Sequence, residues 1–81
     1  MKSSFQYEWW TVQMIVEGNG LMTAEYKGKS RDHVIKQIEK EIAFTNSEKN
    51  LSATWWERQN RIIEVFWNTL TLDRVGYQRQ F

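Results

Sequence analysis

Few residues in this chain are of the types that do chemistry. His33 is the one histidine and there is no cysteine, so neither a thiolate nucleophile nor a Cys/His metal cluster can be assembled. A histidine general base needs a partner that orients its ring, and the first helical turn, where His33 falls, is an ordinary place for a polar surface residue. Ser30 has a sufficient role as a helix cap. Glu39 and Glu41 lie on different faces of that helix and do not make a paired-carboxylate site. Gly18-Asn19-Gly20 lacks the Lys-Ser/Thr ending and the following helix of a phosphate-binding loop. The reading is of a protein that is not an enzyme and uses no metal or cofactor.

The chemistry that remains is contact. Five tryptophans occur in 81 residues, and four of them form the adjacent pairs Trp9-Trp10 and Trp55-Trp56. Neighbouring residues on a strand point to opposite faces, so a strand through Trp9-Trp10 puts an indole on each face of its sheet. One tryptophan of each pair is expected in the core, and the second is the candidate for a partner, because aromatics concentrate at interface hot spots. The candidate interaction surface is Trp9, Trp10, Trp55, Trp56 and Trp67. Cations form two groups. Lys27-Gly28-Lys29-Ser30-Arg31 is the densest basic segment, and the amides of a helix start there could help hold an anion; a solvated turn balanced by Asp32 explains it as well. Arg58, Arg61, Arg74 and Arg79 are interleaved with Trp55, Trp56, Trp67 and Tyr77, a mixture suited to single-stranded nucleic acid or to an acidic protein partner. Lys27, Lys29, Arg31, Arg58, Arg61, Arg74 and Arg79 are thus the candidate nucleic-acid or anion contacts.

Composition narrows the classes. Residues 1–81 make a single small domain with a marginal core that no disulfide can staple. Hydrophobic residues are 41% and charged residues 26%, a soluble globular balance. Eleven Lys and Arg against ten Asp and Glu give a net charge of +1, which argues against a dedicated nonspecific nucleic-acid binder. No apolar signal region follows Met1-Lys2-Ser3-Ser4, and the longest aliphatic run, Met14-Ile15-Val16, is too short to span a bilayer. A cytoplasmic protein with no membrane partner is the expectation.

These side chains must be positioned by few elements. Phe5 to Lys29 reads as a β-hairpin. A two-residue Asn19-Gly20 loop would set Val12, Met14 and Val16 opposite Lys27, Glu25 and Thr23, which scrambles the faces. A three-residue Gly18-Asn19-Gly20 loop pairs Val16 with Met22, Met14 with Ala24, Val12 with Tyr26 and Trp10 with Gly28, which sorts them and leaves space beside the indole. Phe5, Tyr7 and Trp9 are out of phase with that face. A β-bulge near Trp9-Trp10 would reunite them; without one, the strand start shows its aromatics to the second face.

Ser30 to about Thr45 is a helix. Ser30 caps it, Asp32 sits in its first turn, Val34, Ile35, Ile38 and Ile42 form its apolar stripe, and Asn46 ends it. Thr45 to Ser52 reads as a polar connection. Residues 54–68 fit a helical stripe, with Thr54 and Glu57 as a capping box, but Arg61 to Trp67 and Thr69 to Leu72 are rich in strand formers. A two-stranded sheet is rarely stable, which favours a helical turn near Trp55 to Gln59, a strand from about Arg61 to Trp67, and an extended return over about Thr69 to Gln78. The fold class is α+β: a ββαβ(β) antiparallel sheet with one main helix on one face.

The run of a Trp-bearing strand, Gly18-Asn19-Gly20, a second strand and the Ser30-capped helix, Trp9 to Ala43 at most, is loosely similar to the sheet-plus-helix DNA-binding module of phage integrases. That likeness implies DNA binding. Those modules carry a strongly basic sheet face, whereas Thr11, Gln13, Glu25 and Lys27 here are mixed. The expected function is a protein-interaction module using an exposed aromatic surface, with itself or another protein as partner and a homodimer as one form. A nucleic-acid-binding accessory protein is the alternative. If Ser30 caps the helix, Ser30→Ala lowers stability by about 0.5–2 kcal/mol, read as a shift in denaturant midpoint.

Overall fold

The computed structural model describes residues 7–73, which form β1 (Glu8–Val16), β2 (Gly20–Gly28), α1 (Arg31–Thr45), α2 (Glu48–Leu51) and β3 (Ile62–Leu72). The strands make one antiparallel sheet in the order β2-β1-β3. This is the expected α+β arrangement, with the main helix on one face. Both β2 and β3 run antiparallel to β1, so the connection through α1 must cross over β1. That route makes β1 the central strand, paired on both edges and covered on one face.

Alternation along β1 decides which face is covered. Trp10, Val12, Met14 and Val16 are buried together with Val34 and Ile38 of α1 and Ile62 and Leu70 of β3. Val34 and Ile38 have no exposed surface, and burying each fully is worth about 1.5–3 kcal/mol. Ile35 and Ile42 pack at the margin of this core, which completes the expected stripe. The Ser30 hydroxyl accepts from the His33 N–H at 3.2 Å, and Asn46 closes the far end by donating its side-chain amide to the Ile42 carbonyl at 2.9 Å. Tyr26 of β2 donates its hydroxyl to Glu41 of α1 at 2.5 Å. Burial first, then the Glu41 carboxylate, push the Tyr26 hydroxyl well above the usual tyrosine range.

The hairpin register differs from the expected one by two residues. Met14 pairs with Met22, Val12 with Ala24 and Trp10 with Tyr26, and Val16 opposite Gly20 closes a Glu17-Gly18-Asn19 loop. A shift of two preserves every face, so face sorting cannot tell these registers apart; the turn decides. Gly18 at φ 86° and Gly20 at φ 75° both take left-handed backbone, and the Asn19 N–H reaches the Val16 carbonyl at 3.0 Å. The chain therefore reverses earlier. Gly28 consequently stands opposite Glu8, not Trp10, though its carbonyl accepts from the Trp10 indole at 3.3 Å. Its missing side chain makes room for the helix instead, since a Cβ there would lie 2.6 Å from Val34 Cγ2.

No bulge interrupts β1 against β2 at Trp9-Trp10; the irregularities lie between β1 and β3. Thr11 pairs with Thr71 but Gln13 with Phe66, so Trp67 to Leu70 stand opposite Val12. The Thr69 hydroxyl repairs the ladder across this gap, accepting from the Gln13 N–H at 2.8 Å and donating to the Phe66 carbonyl at 2.6 Å. Thr69 to Leu72 thus continue β3 along β1 and are not a returning strand, and the rest of that expected piece, from 74, lies outside the described residues. The Thr45 to Ser52 connection also differs, because it contains the one-turn helix α2, capped by Ser47. Gly28→Ala should destabilise the fold by about 1–3 kcal/mol through overpacking against Val34, measured by denaturant unfolding.

Candidate functional site

The α2–β3 connection is held by polar side chains at both ends. Asn50 is buried; its amide donates to the carbonyls of Thr45 at 3.0 Å and Gln59 at 2.8 Å, and its oxygen accepts from the Gln59 N–H at 2.8 Å. The buried Thr45 hydroxyl accepts from the Ile62 N–H at 3.3 Å, joining the end of α1 to the start of β3. Between these anchors the Thr54 carbonyl accepts from the N–H groups of Glu57 at 2.9 Å and Arg58 at 3.0 Å, a helical turn where one was expected. Arg58 folds back and donates to the carbonyls of Leu51 and Ala53.

This turn displays two indoles. Trp55 is 83% exposed and Trp56 68%, with their ring centroids 5.8 Å apart at 86°, an edge-to-face pair. Neither is a core residue, contrary to the expectation of one buried tryptophan per pair. Strand alternation does not apply on a turn, and Thr45, Asn50 and Ile62 already close the core at this end. The expectation holds for the other pair. Trp10 is in the core, and Trp9 is half-buried on the opposite sheet face, its indole N–H buried without a hydrogen-bond partner among the described residues. Trp67 is half-buried against the core. The five tryptophans therefore do not form one surface.

The cations are distributed among internal partners. Lys27 pairs with Trp9 across the strands, its ammonium 6.0 Å from the indole centroid, and the Lys29 ammonium lies 5.7 Å from the Tyr7 ring. Arg31 donates to the Trp67 carbonyl at 3.2 Å, and Arg61 pairs with Glu17 at 3.3 Å. Arg74 and Arg79 lie outside the described residues. The Lys29 N–H donates to His33 Nδ1 at 3.2 Å, and the His33 ring lies 6.3 Å from Tyr7, so this histidine is tied to the turn entering α1. Tyr7, Trp9, Lys27 and Lys29 make a short cation–aromatic strip at the start of the hairpin. Among the described residues, no group of three or more His, Cys, Asp or Glu could hold a metal ion, and no helix is long and apolar enough to cross a membrane.

The burial of Asn50 and Thr45 is not legible in the sequence, because polar residues carry no periodic burial signal. Ser47 followed by Glu48 was the available sign of a helix start there. Comparison with protein-family models, with curated proteins and with solved structures finds no match. The structure separates two kinds of residue in the connection. Asn50→Ala should lower stability by about 1–3 kcal/mol or more, since it orphans buried backbone groups. Trp55→Ala with Trp56→Ala should stay within about 0.5 kcal/mol of the parent, both read by thermal or denaturant unfolding.

Proposed function

We propose that this chain is a protein-interaction module, not an enzyme, and that its contact surface is built on the Trp55–Trp56 pair. The observation that carries the reading is the display of two indoles, 83% and 68% exposed, on a connection clamped by Asn50 and Arg58. Each tryptophan can bury roughly 150–250 Å², so a partner gains a large apolar contact from two side chains. Tryptophan is enriched among hot spots, and a loop already ordered by hydrogen bonds loses little conformational freedom on binding.

Nucleic-acid binding is the weaker reading. The Tyr7–Lys29 and Trp9–Lys27 stacks favour it, because single strands are bound by cations beside aromatic faces. Against it, Arg31, Arg58 and Arg61 direct their guanidinium groups at carbonyls or a carboxylate of the chain itself. The open sheet face holds Thr11, Gln13, Glu25 and Lys27, a mixed set rather than the basic one of the integrase-like module.

The test is capture from a cell extract by the parent chain and by the Trp55→Ala/Trp56→Ala variant, at low and high salt. Proteins retained by the parent at high salt and lost by the variant are the expected outcome, since apolar contacts survive salt. The reading is overturned if both chains capture the same material, or if single-stranded nucleic acid is captured only at low salt.

A further inference from the structure

The two edges of the sheet are unequal. β3 meets β1 through two register shifts, whereas β2 runs nine residues, Gly20–Gly28, in unbroken register. Among the described residues β2 pairs with β1 alone, so its outer edge offers a regular ladder about 30 Å long at the rise of a β-strand. Natural edges are commonly blunted by proline, bulges, short length or charge; β2 has none of the first three, and its charges are Glu25 and Lys27, of opposite sign. The covered face is also incomplete here. Met22 is 38% exposed, and Ala24 and Tyr26 are half-buried, although all three share the face on which α1 packs.

We propose that a second copy of this chain adds to this edge, β2 against β2 in antiparallel sense, about a two-fold axis passing beside Ala24. The two sheets join into one, with both α1 helices on the same face. This inference goes beyond the Trp55–Trp56 reading and stands or falls separately from it.

Symmetry and side chains select the register. A two-fold axis normal to the sheet keeps each residue on its own face, so the axis must pass beside a residue, not between two. An axis beside Glu25 would set two carboxylates directly opposite, which is unfavourable. One beside Tyr26 pairs Ala24 to Gly28 and leaves the first half of β2 unmatched; one beside Thr23 leaves Lys27 and Gly28 unmatched. An axis beside Ala24 matches every residue of β2. It sets Met22 against Tyr26 twice on the covered face, a favourable thioether–aromatic contact. On the open face Thr23 meets Glu25, and Leu21, 62% exposed, meets the alkyl stem of Lys27. No like charges are directly opposed, and Glu25 with Lys27 leave the edge itself neutral in sum.

The chain has no cysteine, so single introduced thiols report the pairing directly. Directly opposed residues have Cβ atoms about 4.5–5.5 Å apart, close to the separation that a disulfide bridges after a small adjustment. Under mild oxidation, Ala24→Cys should give a covalent dimer by itself. Leu21→Cys and Lys27→Cys should each stay monomeric on a non-reducing gel but link when mixed. The parent chain should sediment as a dimer at high micromolar concentration in low and high salt. The same links should form in the Trp55→Ala/Trp56→Ala background, which separates this edge from the indole surface. A monomeric parent chain overturns the proposal. So does a dimer in which Ala24→Cys fails to link, or in which Leu21→Cys links to itself.

Discussion

β1 must keep Trp10, Val12, Met14 and Val16 dry on one face while both of its edges are hydrogen-bonded, and the other elements are arranged to allow that. Because β2 and β3 flank β1 and run the same way, the chain between them has to pass over β1. A helix is the economical crossing, since it satisfies its own backbone groups and brings Val34 and Ile38 down onto the strand. Gly28 is the local condition for this closeness. A Cβ at that position would lie 2.6 Å from Val34 Cγ2, closer than packed atoms tolerate.

β3 adapts to the strand it joins. Trp67 and Leu70 both reach the core although their spacing is wrong for a regular strand, because the extra residues opposite Val12 reset the phase. At this reset the Gln13 N–H donates to the Thr69 hydroxyl. Arg31, at the start of α1, donates to the Trp67 carbonyl inside the same irregular stretch. An irregular strand is tolerable where neighbouring side chains satisfy the backbone groups it misplaces.

The connection into β3 follows the same rule with polar groups in place of apolar ones. Asn50 and Thr45 are buried, and their hydrogen bonds fix the chain on either side of Trp55-Trp56. Ile62 is buried at this end of the core, while Trp55 and Trp56 stand outside it on the turn between Asn50 and Ile62. Their aromatic area is displayed on a support held by hydrogen bonds, which is the physical basis of the interaction-module reading.

What the sequence determined by itself is what depends on near neighbours. The Ser30 cap, the first-turn Asp32, the apolar stripe and the Asn46 stop of α1 all act within a turn or two, and the helix stands where they place it. The faces of the hairpin were equally legible, because alternation is a property of the strand itself. The register was not, since a two-residue slip leaves that alternation unchanged and two left-handed glycines made the choice. The long course of β3 and its bulges depend on pairing with β1, some fifty residues away in the chain, and no local pattern encodes that match. The candidate site divides in the same way. The tryptophans were conspicuous in the sequence, but hydrophobicity favours burial for all of them. Only tertiary structure, through the strand that carries Trp10 and the turn held by the buried amide of Asn50, decided that Trp10 goes inside and Trp55 and Trp56 stay out.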